Sequence, residues 1–187
     1  MHAGPLSEPI VVEPPATPDA AIVARLRRGD LTAVELLFKR YAASLLGLAT
    51  RITGSPANAE DIVQDVFVGL PVAIRNYAEN GQFVAWLHRV TVRTCLMFLR
   101  RDQRRNEVSL DEERSSNPSD TMLDRLALEE AINKLPTPLR IVFVLKEIEH
   151  YTHAEIASLL GIRKGTSEVR LFRAIRILRT TLERHDD

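Results

Sequence analysis

Arginine side chains at helical spacing near the C-terminus carry the clearest chemistry in this sequence. Residues 163–184 hold seven Arg or Lys, among them Arg163 and Lys164, against two Glu. On a helix, Val169, Arg173 and Arg176 lie opposite an apolar seam predicted at Leu171, Ile175, Leu178 and Leu182, with Arg170 and Phe172 flanking them. Guanidinium groups in such a row neutralise phosphates or bind the edge of guanine through two hydrogen bonds. The pattern predicts a helix that binds nucleic acid.

The segment before this basic helix has the signals of a tight turn between two helices. Thr152 and Glu155 have the spacing of a capping box, and Gly161 ends the short helix that follows. In a helix-turn-helix motif the second helix enters the major groove of duplex DNA. Residues 151–182 are therefore predicted to read DNA. The competing interpretation is a structural hairpin with a solvated basic face.

A second basic block, residues 75–105, combines arginines with aromatic side chains. Arg89, Arg93, Arg100 and Arg104 fall within about 60° on one helix face, and Trp86 lies at its edge. Tyr77 and Phe83 lie in or beside the preceding turn. Cations that follow a backbone beside rings on which bases stack are typical of a single-strand-binding surface. A place in the core is the alternative for Phe83 and Trp86.

No constellation in the sequence predicts catalysis, a metal site or a cofactor. His150 and His153 are three residues apart, but they have no cysteine nearby. Glycine-rich phosphate loops are absent. Cys95 is the only cysteine, which excludes an intrachain disulfide and a multi-cysteine metal site. We therefore expect a protein that is not an enzyme.

The hydrophobic periodicity predicts an all-α protein of two small helical domains joined by a flexible acidic linker. Residues 1–18 contain five of the ten prolines and are predicted to be a disordered tail. The first domain is predicted at 19–105, the linker at 106–122 and the second domain at 123–187. The linker region is acidic because residues 106–124 hold six Asp or Glu against Arg114.

Within the first domain, single residues predict where helices begin and end. Asp19 and Asp30 are plausible helix N-caps, Gly54-Ser55-Pro56 ends one helix and starts the next, and Pro71 predicts a kink or break. The core stripe of the long helix after Asp30 is predicted at Leu31, Val34, Phe38, Tyr41, Leu45, Leu48 and Ile52.

Composition and charge exclude several classes of protein. The 187 residues carry 25 basic and 25 acidic side chains, and 45% are hydrophobic, so wholesale disorder is excluded. The longest uncharged stretch of the body, residues 41–50, is too short to cross a bilayer. The N-terminus lacks the pattern of a signal peptide. These features predict a cytoplasmic protein without membrane insertion.

The order of these motifs resembles the extracytoplasmic-function (ECF) group of bacterial sigma factors. Residues 27–67, GQFVAWLHRV (81–90) and LRRDQRR (99–105) resemble region 2 of that group. Residues 128–179 resemble its region 4. The resemblance implies a subunit that binds core RNA polymerase, recognises the −10 and −35 promoter elements and promotes DNA melting.

The resemblance also implies roles for individual positions. The AEDIVQDVF helix (59–67) resembles the part that docks on the clamp helices of the polymerase β′ subunit, which assigns that contact to Asp61, Gln64, Asp65 and Phe67. Taken alone, the acids near this helix start read as favourable partners of its dipole. The matching −10 surface, which includes single-stranded DNA, comprises Tyr77, Asn80, Phe83, Trp86, Arg89, Arg93, Arg100 and Arg101.

For region 4, the resemblance implies contact with the β flap of the polymerase and with the −35 duplex. The −35 surface comprises Arg163, Lys164, Glu168, Val169, Arg170, Phe172, Arg173 and Arg176. Control by an anti-sigma factor is also implied. Two further hypotheses stay open on the sequence. An autonomous helix-turn-helix regulator would bind duplex DNA without polymerase, and a protein-binding helical adaptor would show no salt-dependent affinity for nucleic acid.

Overall fold

The computed structural model describes residues 18–78, 82–106 and 123–183, which form eight α-helices and no strand. Almost all of the predicted tail and linker, and Asn80, lie outside these ranges. A 3-10 turn, Ile74–Asn76, follows α3, and a π-helical segment, Val144–Ile148, follows α6. The α-helices are α1 Asp19–Arg27, α2 Thr32–Thr53, α3 Pro56–Ala73, α4 Phe83–Asn106, α5 Leu123–Lys134, α6 Thr137–Phe143, α7 His153–Leu160 and α8 Lys164–Glu183.

Two aspartates tie α1 to α2, although neither has the N-cap position predicted for it. Leu31 is the N-cap of α2, and Asp30 just before it accepts hydrogen bonds at Oδ1 from Thr32 N at 3.0 Å and Thr32 Oγ1 at 2.6 Å. Asp19 is the first residue of α1 and not its N-cap, because Pro18 has that place. Its carboxylate accepts instead from Arg40 Nη1 at 2.6 Å and from the Tyr41 hydroxyl. Burial, and then Asp19, raise the pKa of Tyr41 to about 12.

The central helix α2 packs against α1, α3 and α4, and its buried stripe differs from the prediction at its start. Leu45, Leu48 and Ile52 are buried as predicted. In the first turns, however, Leu37 is fully buried, while Leu31 is 65% exposed and Phe38 is 46% exposed. Within the run Leu36-Leu37-Phe38, either Leu37 or Phe38 could face the core at helical spacing. Packing against the neighbouring helices buries Leu37.

The connection from α2 to α3 is confirmed in detail, whereas the break predicted at Pro71 is displaced. Gly54 has a left-handed φ of +74°, and Ser55 Oγ accepts a hydrogen bond from Asn58 N at 3.3 Å. Pro71 lies in the last turn of α3, which continues to Ala73 before it tightens into the 3-10 turn. Pro71 has no N–H to donate to the Phe67 carbonyl one turn earlier, so that bond is lost, yet the helix continues for two residues beyond it.

In the C-terminal part, α7 and α8 form the helix-turn-helix. The capping box is confirmed: Thr152 Oγ1 accepts from Glu155 N, and Thr152 N donates to Glu155 Oε2 at 2.8 Å. Gly161 ends α7 with a φ of +67°. The seam of α8 differs from the prediction, because Ile175 is exposed and the buried positions are Ser167, Ala174 and Leu178. Ser167 takes part because its hydroxyl hydrogen-bonds His153 Nδ1 at 2.9 Å, across the turn.

The N-terminal helices α1–α4 and the C-terminal helices α5–α8 pack against each other. Their buried apolar side chains form one continuous cluster. Arg140 of α6 is 6% exposed, and its guanidinium donates to the carbonyl oxygens of Thr53 at 2.9 Å and Asn133 at 3.0 Å. Arg51 of α2 binds the Glu129 carboxylate of α5 in a bidentate pair, with Nη2–Oε1 at 2.7 Å. These contacts join the end of α2 to α5 and α6.

Candidate nucleic-acid interface

The outer face of α8 carries most of the side chains predicted to bind duplex DNA. Phe172 is 69% exposed and Val169 is 50% exposed, and Arg173 and Arg176 are exposed beside them. Since Ala174 and Leu178 hold the opposite side of α8 in the core, these exposed side chains project from a fixed helix. A rigid helix with this face outward has the form that enters a major groove.

The remaining members of the predicted α8 surface lie at its start and on its flank. Arg163 precedes the helix and Lys164 is its first residue, and both are exposed. Lys164 Nζ lies 3.6 Å from the Glu168 carboxylate, an exposed pair one turn apart. Arg170 is only half-buried. The structure thus keeps all eight predicted positions on or beside one face.

The aromatic residues predicted to stack on bases form a cluster that is largely closed. Tyr77 is 7% exposed and Phe83 is 4% exposed, so their rings lie in the core and do not present a stacking face. Trp86 is half-buried and contacts both of them, at centroid distances of 5.3 and 5.8 Å. Of these three rings, Trp86 alone is accessible from the surface. The other two hold it in position.

An arginine that the sequence did not single out supports this aromatic cluster. The Arg27 guanidinium lies 5.7 Å from the centre of the Tyr77 ring and donates to the Tyr77 carbonyl oxygen. A cation over an aromatic face is attracted by the electron density of the ring. Arg27 lies in the basic last turn of α1. From the sequence alone, its charge is explained by a favourable interaction with the helix dipole. Only the tertiary structure reveals its second role.

The basic stripe predicted on α4 is exposed, and one of its members contacts the C-terminal helices. The exposed side chains are those of Arg89, Arg93, Arg100 and Arg104, and Arg101 beside the stripe is exposed as well. Arg100 Nη2 nevertheless donates to the carbonyl oxygen of Leu159 in α7 at 2.8 Å. Beside the stripe, His88 Nδ1 lies 2.9 Å from Glu149 Oε2. No pattern in the sequence predicts these contacts.

The acidic helix α3 divides its predicted residues between surface and core. Asp61, Gln64 and Asp65 are exposed. Phe67 is 4% exposed and packs edge-on against Phe38, with ring centroids 5.0 Å apart. The three polar side chains are therefore accessible from solvent, whereas Phe67 packs beneath them and fixes the helix.

Other chemistry is limited in the part of the chain that the structure describes. No group of three or more His, Cys, Asp or Glu there could hold a metal ion. No helix among these residues has both the length and the apolar composition to cross a membrane. Cys95 is fully buried, and burial raises the pKa of its thiol to about 12.

The fold has two helical units, and one of them ends in a helix-turn-helix with an exposed basic helix. These features define a DNA-binding protein of the two-domain, all-helical class. Residues 37–105 match the family model of Sigma-70 region 2, and residues 125–178 match that of Sigma-70, region 4. The chain belongs to the ECF sigma factors, which are transcription initiation factors and not enzymes.

Individual relatives agree with this assignment. The ECF RNA polymerase sigma-E factor of Escherichia coli (strain K12) is 30% identical over 172 residues, which are 83% of this chain and 90% of that protein. ECF RNA polymerase sigma factor SigE of Mycolicibacterium smegmatis is 33% identical over 158 residues, 80% of this chain. The chain covers 61% of the length of that SigE protein, less than two thirds.

Two solved structures share the fold. CnrH, solved in complex with the cytosolic domain of CnrY, is 25% identical with a TM-score of 0.54, over 89% of this chain and 98% of that one. The sigma factor RpoE in complex with the anti-sigma factor NepR from Bartonella quintana is 21% identical with a TM-score of 0.59, over 80% and 96%.

Proposed function

We propose that this sigma factor acts in the cytoplasm, binds core RNA polymerase and directs it to promoters through two DNA elements. The observation that carries the proposal is the presence of two different basic surfaces on the two units. The α8 face has the form of a duplex reader, whereas α4 sets arginines beside the accessible Trp86. The same chain therefore carries one surface suited to double-stranded DNA and another suited to single-stranded DNA.

The two surfaces differ in shape, and each is therefore assigned a different form of DNA. On α8, the exposed Arg173 and Arg176 can donate to base edges or phosphates of the −35 duplex, and Phe172 and Val169 offer apolar contact with thymine methyl groups. On α4, Arg89 and Arg93 bind the backbone of the −10 strand while Trp86 stacks on a base. Melting is favoured because only the opened strand can use that surface.

The polymerase contact is assigned to the exposed side of α3. Asp61, Gln64 and Asp65 point outward there, and Phe67 supports the helix through Phe38. This surface is acidic, so its partner on the β′ subunit is expected to be basic. The C-terminal unit contacts the β flap. An anti-sigma factor is included in the proposal because a sigma factor of the same fold is solved in complex with one.

Run-off transcription with purified core polymerase over a pool of genomic promoter fragments tests the function. Specific transcripts are expected only when the protein is added. The Asp61→Ala, Asp65→Ala double variant should lose both these transcripts and polymerase binding. Glu60→Ala removes an exposed acid from the same helix and serves as the matched control.

Two results would contradict the proposal. Undiminished polymerase binding by the double variant would remove the assignment of α3. Absence of transcripts, together with tight binding of the same fragments without polymerase, would identify an autonomous helix-turn-helix regulator instead.

A further inference from the structure

The end of α1 carries exposed arginines beside the aromatic cluster. Arg27 Nη2 donates to the carbonyl oxygen of Tyr77 and lies 3.5 Å from that of Ile74, which holds the last turn of α1 against the 3-10 turn. Next to these contacts in the chain, Arg28 and Arg75 are both exposed. Two segments that are distant in the sequence therefore bring exposed guanidinium groups to the same part of the surface.

The backbone at the end of α1 is fixed by hydrogen bonds. Gly29 has a left-handed φ of +87°, its N–H donates to the Leu26 carbonyl at 2.9 Å, and Asp30 N donates to the Arg25 carbonyl at 3.2 Å. A left-handed glycine just after a helix is a common way to end it. Arg28 is the C-cap of this helix end, so its side chain starts from a defined position.

The positive charge of this surface is not offset by the acids around it. The three acids within residues 18–53 each have another basic partner, and the pairs are Asp30–Arg25 at 2.9 Å, Asp19–Arg40 at 2.6 Å and Glu35–Lys39 at 2.6 Å. Within the described ranges, no carboxylate pairs with Arg28 or Arg75. Both charges are thus available to an anion from solvent.

This basic surface is continuous with the accessible tryptophan of α4. The Tyr77 ring lies 5.7 Å from the Arg27 guanidinium and 5.3 Å from the Trp86 ring, so one aromatic side chain joins the end of α1 to Trp86. From Trp86, exposed arginines continue along α4 at Arg89 and Arg93. A base stacked on Trp86 therefore has cations on α4 and further cations at the end of α1.

We propose that Arg28 and Arg75 form a second phosphate-binding site for single-stranded DNA, so that the bound strand continues past Trp86 from α4 to the end of α1. This inference rests on the proposed function of α4 and adds contacts that lie outside that helix. Hydrogen bonds from guanidinium to phosphate are charge-assisted and carry no sequence information. The two arginines therefore position the strand without selecting its bases.

The salt dependence of strand binding by the full chain tests the inference. Fluorescence anisotropy gives the Kd for a labelled 12-nucleotide single strand of mixed sequence between about 50 and 250 mM KCl, and for a duplex of the same sequence. The variant is Arg28→Gln with Arg75→Gln. The matched control, Lys39→Gln with Arg179→Gln, removes two exposed positive charges elsewhere. Circular dichroism melts establish that each variant is folded.

Each phosphate contact with a single strand contributes about 0.7 to the slope of log K against log salt. The slope should therefore fall by about 1.4 in the arginine variant, and its Kd for the single strand at low salt should rise at least about fivefold. Duplex binding should change less than about twofold. An unchanged slope, an equal loss for the duplex or an equal loss in the control overturns the inference.

Trp86→Leu separates this inference from the function proposed for α4, because it keeps an apolar side chain and removes the stacking ring. Weaker strand binding is expected. Undiminished binding would contradict the function of α4 and the second site together. Weaker binding in Trp86→Leu with an unchanged slope in the arginine variant would contradict the second site alone. Failure of the unaltered protein to bind the strand at the lowest salt also overturns the inference.

Discussion

Arg140 is the most informative single residue for the stability of the closed chain. Its guanidinium is buried, and among the residues that the structure describes it has no carboxylate partner and donates to neutral acceptors. Besides the Thr53 and Asn133 carbonyls it reaches those of Leu135 at 3.3 Å and Ile52 at 3.4 Å, and Thr137 Oγ1 at 3.4 Å. Burial lowers the pKa of this group. Arginine nevertheless remains charged at neutral pH.

The structure allows the effect of Arg140→Met to be estimated. Each of the two short hydrogen bonds involves a charged donor and is worth about 1.5–3 kcal/mol. Part of that gain offsets the cost of desolvating the guanidinium, which the variant recovers. We therefore expect the free energy of unfolding to fall by about 2–4 kcal/mol, with four carbonyls left without this donor. For a chain of this size the midpoint should fall by about 4–16 °C.

Differential scanning calorimetry and urea unfolding measure this loss. Arg140→Lys should recover little, because one ammonium group cannot reproduce the planar fork of donors. Arg179→Met removes an exposed arginine from α8 and should change stability by no more than about 0.5 kcal/mol. A shift in midpoint below about 2 °C for Arg140→Met, or full stability with lysine, would refute the reasoning.

Three further outcomes follow from the buried and strained positions. Cys95 should resist thiol reagents at pH 8 in the folded protein and react on unfolding, because its pKa is raised to about 12; fast native labelling would contradict its burial. Gly54→Ala should destabilise more than Gly29→Ala. Both glycines have positive φ, which costs a side chain about 1–2 kcal/mol, but only at Gly54 would a Cβ lie 2.8 Å from the Arg140 guanidinium; equal urea midpoints would exclude that clash. Tyr41 stays protonated in the folded chain up to about pH 12, so its contribution to stability is complete below pH 10 and is lost as pH rises towards 12. In Tyr41→Phe the urea unfolding midpoint should therefore change less between pH 10 and pH 12 than in the unaltered protein. An equal change in both proteins would contradict the raised pKa of Tyr41.

Local signals in the sequence were sufficient for the helix boundaries that depend on neighbouring residues. Gly54-Ser55-Pro56 and the Thr152–Glu155 capping box act within four positions of chain, so their residue types determine the geometry. The family and the all-helical class were predicted for a related reason, since the order of several moderately specific motifs is far more specific than each alone.

Features set by long-range packing were not predictable from the pattern. The choice between Leu37 and Phe38 for the core depends on which neighbours α2 meets, and both satisfy the helical period. The same holds for Tyr77 and Phe83, whose type suits a stacking surface and a core equally. Arg140 is the extreme case: its acceptor at Thr53 is a backbone carbonyl 87 positions away, and a carbonyl has no signature in the sequence.

The balance of charge in this chain acquires a meaning once the contacts are known. With 25 basic and 25 acidic side chains, the free protein offers DNA no net attraction at long range. On α4 the exposed Arg89 acts on the Glu155 carboxylate and helps to lower its pKa. We therefore expect affinity for a promoter to come from the assembly with polymerase, which adds contacts of its own, and we expect the protein alone to bind DNA weakly.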